Sequence, residues 1–197
     1  MTGVTHVAYS CSVSLACSHR NRPAMFVANH NSFMDIPYLG GTIGWRNYKF
    51  VAKKELEKVP ILGSAIKIAN NLMVDRKDKK SGLKTLRTGI DMMKEGVHLC
   101  TFPEGTRSIN GRVKEFKNGA FKMAHKAGAP IIPLSIVGAQ KVQPVHWMFP
   151  RMASRRNVVV VVHDPIESKG KTEEELAKAV RQAMIDGLPD DQKPLEN

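Results

Sequence analysis

The chain has 197 residues, which is enough for one domain with its own hydrophobic core, so disulfide bridges or a structural metal are not required. The 30 lysine and arginine residues outnumber the 18 aspartate and glutamate residues, and the formal net charge of +12 favours anionic partners: nucleic acid, anionic lipid headgroups or phosphorylated substrates. No run approaches the roughly 18 apolar residues that a membrane-spanning helix requires. The three cysteines, Cys11, Cys17 and Cys100, lack the spacing of a zinc site or a disulfide framework, which favours a reducing compartment.

Apolar runs alternate along the chain with segments of helical periodicity. The predicted strands are Ala24–Ala28, Tyr48–Ala52, Leu72–Val74, Val97–Phe102, Pro130–Val137 and Val158–His163. The first predicted helix is Asp78–Glu95, and its apolar face consists of Leu83, Leu86, Ile90 and Met93. The second is Asn118–Ala127, which ends at Gly128. The last helix begins at a Thr172–Glu175 capping box and ends at Gly187, and its apolar stripe consists of Leu176, Val180, Ala183 and Met184.

This alternation predicts a single α/β domain with a mainly parallel central sheet flanked by helices. The continuous β-branched run at Val158–His163 is typical of a strand covered on both faces. We expect residues 23–187 to form the domain. Residues 1–22 are expected to be a truncated or weakly ordered segment, and residues 188–197 a loose tail.

A polar run, Asn29 to Asp35, follows the first predicted strand, where α/β folds place their chemistry. His30 and Asp35 are five residues apart, about 140° on a helix, so they meet only if His30 lies in a turn and Asp35 in the first helical turn. A carboxylate on one imidazole nitrogen leaves the other nitrogen as a base. Without a nucleophile-elbow pattern, that base would act on a substrate hydroxyl, with no covalent acyl-enzyme. Alternatively, Ser32 and Asp35 form a capping-box-like pattern, and Asp35 only caps a helix.

A second polar turn, Phe102 to Ser108, follows another predicted strand. Gly105 permits close backbone approach, Thr106 offers a hydroxyl, and Arg107 has the planar fork that suits phosphate. The alternative is a surface turn with a solvated arginine. Lys53 and Arg76 each follow a predicted strand, so parallel strands would bring all these side chains to one rim with His30.

These residues resemble the motifs of the glycerolipid acyltransferases, of the 1-acylglycerol-3-phosphate acyltransferase type. Asn29-His30-x4-Asp35 resembles their first motif, and Phe102-Pro103-Glu104-Gly105-Thr106-Arg107-Ser108 their third. Pro60–Gly63 through Val74–Arg76 is similar to the second motif, Ala129–Leu134 to the fourth, and Lys53–Leu56 to a Lys-x-Glu-Leu segment. Their order and spacing fit across roughly residues 24 to 165.

The resemblance implies that His30 is the general base and that Asp35 orients it. It implies that Glu104, Gly105, Thr106 and Arg107, with Arg76 and Lys53, bind the acceptor phosphate. The fourth motif would contribute to the acyl donor region or shape the site.

The implied reaction transfers a fatty acyl group from acyl-CoA or acyl-ACP, as co-substrate, to the sn-2 hydroxyl of lysophosphatidic acid, giving phosphatidic acid. No metal or other cofactor is implied. Many family members carry membrane helices before the first motif. Only about two dozen residues precede that motif here. We therefore expect either a fragment of a longer protein or peripheral contact with an anionic membrane, on the cytoplasmic side or at a plastid or endoplasmic reticulum membrane. Residues 144–152 are either an interfacial loop or an ordinary packed loop.

Other acceptors, glycerol 3-phosphate or another lysophospholipid, would use the same base. A non-catalytic lipid-binding relative is a further alternative, although His30 and Asp35 are both intact. A basic nucleic-acid-binding protein would be a different class. The charge permits it, but we expect no nucleic-acid partner, because aromatic residues for base stacking make up only 6% of the chain and no nucleic-acid-binding motif is recognisable.

Overall fold

The computed structural model describes residues 5–7, 22–44, 48–59, 62–75, 78–147, 149–150 and 158–195. Its seven-stranded sheet has the order β1-β7-β6-β2-β5-β3-β4. The strands are β1 (Thr5–Val7), β2 (Met25–Ala28), β3 (Tyr48–Lys53), β4 (Leu72–Val74), β5 (His98–Thr101), β6 (Ile131–Val137) and β7 (Val159–Val162).

The centre of the sheet is parallel. β2 lies between β5 and β6, and β3 joins β5 to β4, all in parallel register. Only β7 and β1, at one edge, are antiparallel to their neighbours. The prediction of a mainly parallel α/β sheet is therefore confirmed. The carboxyl ends of β2 to β6 share one rim, which is where parallel sheets place ligands.

Helices cover both faces of this sheet. They are α1 (Asp35–Ile43), α2 (Leu62–Ile68), α3 (Lys79–Lys94), α4 (Gly119–Ala127), α5 (Ala139–Val142) and α6 (Glu173–Asp186), with a 3-10 helix at Lys54–Lys58. The predicted capping box is present at α6, where Thr172 and Glu175 exchange hydrogen bonds. At α3, the Asp78 side chain accepts from the Lys80 amide. These side chains satisfy amides that the first turn of a helix leaves unpaired.

Alternate residues of each buried strand contribute to two separate cores. On β2, Phe26 and Ala28 pack with α1 and α5, while Met25 and Val27 pack with α3, α4 and α6. Leu39 of α1 and Phe121 of α4 are completely buried, one in each core. Burial of such a side chain contributes roughly 1.5–3 kcal/mol, so both helical layers fix the sheet between them.

Three expectations need adjustment. Leu83, predicted on the buried face of α3, is 58% exposed, because that end of the helix borders a cavity. The tail is not loose: Leu188 and Gln192 are buried. Within residues 1–22, Thr5–Val7 forms a strand that pairs with β7. No helix among the described residues combines the length and hydropathy that crossing a bilayer requires.

Candidate active site

The first polar turn lies at the carboxyl end of β2. Asn29 is completely buried, and its side chain holds the backbone of Ile136 on β6. Its Nδ2 donates to the Ile136 carbonyl at 3.0 Å, and its Oδ1 accepts from the Ile136 amide at 2.7 Å. Both bonds are buried, where an unpaired amide would be costly. The residue that precedes His30 is thus fixed to the neighbouring strand.

His30 and Asp35 meet as the turn-then-helix geometry requires. Asp35 is the first residue of α1, and its Oδ2 lies 2.8 Å from Nδ1 of His30. The same oxygen accepts from the amides of Asn31 at 2.7 Å and Ser32 at 2.8 Å. The reciprocal Ser32–Asp35 capping box does not form, and Met34, the N-cap residue of α1, makes no side-chain capping bond. The Asp35 carboxylate therefore organises both the turn and the ring.

The contact with Asp35 fixes which nitrogen of His30 carries the proton. A carboxylate only accepts, so Nδ1 donates and Nε2 keeps its lone pair on the opposite edge of the ring. The His30 side chain is 17% exposed, while the Asp35 side chain is completely buried. The ring of Phe102 stacks on His30, with centroids 3.9 Å apart and an interplanar angle of 15°. The imidazole is thus held on one face and one edge, and its remaining edge can act as a base.

Glu104 lies deeper than a phosphate ligand would. It is 4% exposed. Its Oε1 accepts from the His30 amide at 2.8 Å, and its Oε2 accepts from the Lys114 amide at 3.0 Å. Burial raises the pKa of Glu104 to about 7, against the lowering effect of these two backbone bonds and of the Lys114 charge. Binding of the acceptor phosphate by Glu104 stays a prediction. Its bonds favour a role in holding the His30 turn to the Lys114 segment.

The second polar turn continues from Glu104 and lies against the first. Gly105 has φ +75°, a conformation that favours glycine. The Ser108 amide donates to the His30 carbonyl at 2.7 Å, so Arg107 is one residue from a direct bond to the backbone of His30. Thr106 is exposed and Arg107 partly exposed. Lys114 Nζ donates to the Arg107 carbonyl at 3.0 Å. Two cations therefore border this turn.

Of the two other cations predicted for the site, Lys53 and Arg76, the structure describes only Lys53. Lys53 is the last residue of β3, on the same rim as His30 and Arg107, and is partly exposed. Arg76, expected to follow β4, lies outside the described residues. The fourth motif, residues 129–134, is buried along the start of β6 beside β2. It can shape the site through the packing of these strands.

Sequence reasoning missed two contacts that shape the site. Phe102 was part of a recognised motif, but nothing in the sequence predicted its stacking on His30. Ser32 Oγ donates to the Gln143 carbonyl at 2.9 Å, which joins the first turn to the segment after α5. Both contacts connect segments far apart in the chain, and no local pattern marks them.

A cavity of about 690 Å³ opens at the carboxyl end of β5. Phe102, the residue that stacks on His30, forms part of its wall, and α3 and α4 form its sides. Most of the wall is apolar, with charged residues at the border. The lining comprises Val51, Val74, Asp75, Asp78, Gly82, Leu83, Thr85, Leu86, Thr101, Phe102, Pro103, Lys117, Gly119, Ala120, Lys122 and Met123. A mostly apolar cavity of this size suits an apolar group.

This chain is similar to known proteins in sequence. The family model described as Acyltransferase matches residues 12–137. A 1-acyl-sn-glycerol-3-phosphate acyltransferase of Chlamydomonas reinhardtii is 34% identical over 169 residues, covering 86% of this chain and 49% of the relative. A chloroplastic enzyme of the same name from Arabidopsis thaliana is 35% identical over 144 residues, covering 73% of this chain and 39% of the relative.

A solved structure is similar as well. The crystal structure of the 1-acyl-sn-glycerophosphate acyltransferase from Thermotoga maritima matches with a TM-score of 0.68 at 34% identity, covering 85% of this chain and 65% of that chain. The chain spans about half the length of the curated relatives it matches. Because the family model matches residues 12–137, more than half of the chain, this chain belongs to the acyltransferase family.

Proposed function

We propose that this protein transfers a fatty acyl group from a thioester carrier, acyl-CoA or acyl-ACP, to the sn-2 hydroxyl of lysophosphatidic acid. The observation that carries the proposal is the His30–Asp35 pair, with Nδ1 held at 2.8 Å by a buried carboxylate. The relatives described above, whose names specify this acceptor, support the choice of substrate. No cofactor is part of the proposal.

The proposed reaction is direct. Nε2 of His30 takes the proton of the acceptor hydroxyl while its oxygen attacks the thioester carbonyl. The tetrahedral intermediate then collapses, the carbon–sulfur bond breaks, and the thiolate leaves with the proton that His30 returns. Asp35 stabilises the imidazolium between these steps. General-base catalysis of this kind contributes about 10²–10⁴-fold.

The acceptor's phosphate is proposed to bind at the second polar turn. Arg107 offers two parallel donors, and the Ser108–His30 bond keeps this turn beside the base. Thr106, Gly105 and Lys53 lie on the same rim, and Arg76 remains part of the proposal from the sequence. Anchoring the phosphate would fix the free hydroxyl near Nε2 and convert the encounter into an effectively unimolecular step.

An acyl-transfer assay tests the reaction. Purified protein is incubated with lysophosphatidic acid and acyl-CoA, and both phosphatidic acid and free CoA thiol are measured. His30→Ala is expected to lose at least about 10²-fold in turnover with an unchanged melting temperature. Turnover by that variant at the wild-type rate would refute the mechanism. Parallel reactions with glycerol 3-phosphate and other lysophospholipids identify the acceptor, and reactions with acyl-ACP identify the donor.

The cavity beside Phe102 is proposed to hold the acyl chain. Gly82 lies in its wall, and a Cβ at that position would meet no atom within 4 Å. Gly82→Leu should therefore fill the cavity and shift the preference toward shorter acyl groups. The substitution should not destabilise the helix, because leucine has a higher helix propensity than glycine. Thr88→Leu, on the exposed side of the same helix and outside the cavity lining, is the matched control. An unchanged chain-length profile in Gly82→Leu would remove the cavity from the proposal.

Contact with an anionic membrane is proposed at the rim of the site. Phe33, Ile109, Trp147 and Phe149 are 43%, 81%, 42% and 74% exposed. The first three belong to segments joined by hydrogen bonds: Ser108 next to Ile109 bonds to His30, and Gln143 bridges Ser32 and the Trp147 carbonyl. Aromatic and apolar side chains beside cations suit a headgroup surface. Of the proposed interfacial loop, residues 148, 151 and 152 lie outside the described residues.

Flotation with vesicles tests this contact. The double variant Ile109→Ser and Phe149→Ser is expected to bind vesicles of anionic lipid several-fold less than wild type. Ile68→Ser removes an 86% exposed apolar side chain near the start of β4, at the opposite end of the sheet, and should leave binding unchanged. Equal losses in both variants would argue against a directed membrane face.

A further inference from the structure

Residues 188–195 leave α6 and pack back onto the domain through the buried side chains of Leu188 and Gln192. Gln192 is completely buried. Its Oε1 accepts from the Gly138 amide at 2.9 Å, and its Nε2 donates to the Ile136 carbonyl at 3.1 Å. Because both ends of the amide are bonded inside the protein, the side chain has one orientation and fixes the segment to the end of β6.

The carbonyl that Gln192 holds is also held by the site. Asn29, the residue before His30, donates to the same Ile136 oxygen at 3.0 Å and accepts from the Ile136 amide. Gln192 and the His30 turn therefore share one peptide group as their common support. A shift of that peptide would move the base.

The same segment also bonds to Arg112 and Val113, which follow the second polar turn in the chain. The Val113 amide donates to the Gln192 carbonyl at 3.0 Å. The Arg112 guanidinium donates to the carbonyls of Asp190 at 3.0 Å and Lys193 at 2.7 Å. These contacts continue toward Arg107 through Asn110, whose side chain accepts from Ser108 Oγ at 2.8 Å and from the Arg112 amide at 3.1 Å.

We propose that Gln192 is a positioning residue that sets the separation between the Arg107 turn and the base His30. The proposal rests on the proposed function, in which one turn anchors the acceptor's phosphate and the other activates its hydroxyl. Both ends of the acceptor must then fit at once, and a misplacement of about 1 Å can cost about 10²-fold in rate. Gln192 touches neither substrate group, and it acts through Ile136 on one side and Val113 on the other.

Kinetics separate positioning from general stabilisation. Gln192→Met keeps the length of the side chain but removes both hydrogen bonds of its amide group. Gln192→Asn is a second variant, which keeps the amide group on a shorter side chain. Gln182→Ala, which removes an exposed glutamine bonded to Asp186 on α6, is the control. Assayed well below its melting temperature, Gln192→Met should lose about 10-fold or more in kcat/KM for lysophosphatidic acid. The KM for acyl-CoA should stay within about twofold, and the control should match wild type.

A loss confined to the melting temperature or the active fraction, with an unchanged KM for the acceptor, would overturn the proposal. So would equal effects on both substrates.

A second readout does not depend on the acceptor's identity. Hydrogen exchange of the Ser108 and Val113 amides, which donate to His30 and Gln192, should quicken at least about 10-fold in Gln192→Met, while amides of α3 should keep their wild-type rates. If wild type fails to acylate lysophosphatidic acid but these amides quicken, the proposed function fails and the support by Gln192 stands. Unchanged exchange at both amides overturns the inference.

Discussion

His30 and His163 each place a ring nitrogen 2.8 Å from a buried polar side chain, but the two pairs have opposite chemistry. The partner of His30 is the Asp35 carboxylate, which only accepts, so the far nitrogen keeps a lone pair at the rim of the site. The partner of His163 is Ser135, whose hydroxyl donates to the Met184 carbonyl at 2.8 Å. His163 Nε2 must therefore donate to Ser135 and cannot remove its proton.

The surroundings of the two rings also indicate different roles. His163 follows β7 beside Pro133, and a Cβ at Gly187 would collide with its ring, so it packs tightly against the end of α6. Burial lowers the pKa of His163, against the raising effect of Asp186 and Asp164, and so favours the neutral ring. A histidine next to a hydroxyl is thus a structural pair here. Catalysis requires that the partner be an acceptor and that the second nitrogen face the substrate.

The largest effect that sharpens this comparison is expected for Asp35→Asn. An asparagine amide can donate to Nδ1, which would leave the proton on Nε2 and remove the base. We expect kcat to fall about 10³–10⁴-fold, with the fold retained. The measurement is acyl transfer to lysophosphatidic acid together with a melting curve. A lower melting temperature with normal kcat would show that Asp35 serves only the backbone of the turn.

A smaller loss is expected for Glu104→Gln. The amide group of glutamine cannot accept from both the His30 and Lys114 amides, so one of the two bonds is lost and the base shifts. We expect kcat/KM to fall about 10–100-fold. Glu115→Gln, at an exposed glutamate in the following segment, provides the matched control. Full activity in Glu104→Gln would mean that this carboxylate positions nothing.

Glu104 also predicts a pH dependence of stability. Its pKa is raised from 4.5 to about 7 in the folded protein, so between these values the folded state binds the proton more readily than the unfolded state. The contribution of Glu104 to stability is therefore complete below about pH 4.5 and is lost as the pH rises through about 7. The free energy of unfolding can be measured with urea at several pH values across this window. Its slope against pH should be more negative in wild type than in Glu104→Gln, by up to about 1.4 kcal/mol per pH unit. Parallel slopes would contradict the raised pKa.

The smallest effect on activity is expected for the His163 pair. Ser135→Ala removes a hydroxyl that bonds to both His163 and the Met184 carbonyl, so both groups lose a buried hydrogen bond. We expect the free energy of unfolding to drop by about 1–3 kcal/mol, with kcat within about twofold of wild type. Urea denaturation and the acyl-transfer assay measure the two quantities. A collapse of kcat in a folded Ser135→Ala protein would break the distinction between the two histidines.

Much of the fold could be predicted because its signals are local. Strand β4 matches its predicted bounds, and α3 and α4 begin and end within one residue of theirs. The Thr172–Glu175 capping box needs only residues three apart, so it was readable directly. Leu83 was the exception, since helical periodicity identifies an apolar face but does not tell whether that face meets a core or a cavity.

The candidate site could be predicted only where its residues are close in the chain. His30 and Asp35 share one turn, so their spacing defined how they could meet. Glu104 was expected to contact phosphate, yet its oxygens bond to the amides of His30 and Lys114, the former 74 residues away in the chain. Nothing in the motif tells which way a carboxylate points, because that depends on how two loops pack.

The sequence by itself determined the alternating elements, the parallel α/β class and the choice of candidate site residues, because each depends on side-chain pattern within a short stretch. Only the tertiary structure decided that Phe102 stacks on His30, that Glu104 faces inward and that Gln192 is buried. These features arise from contacts between distant segments, such as Gln192 with Ile136 across 56 residues. Such contacts exist only once the sheet and its helical layers have packed, and no local propensity encodes them.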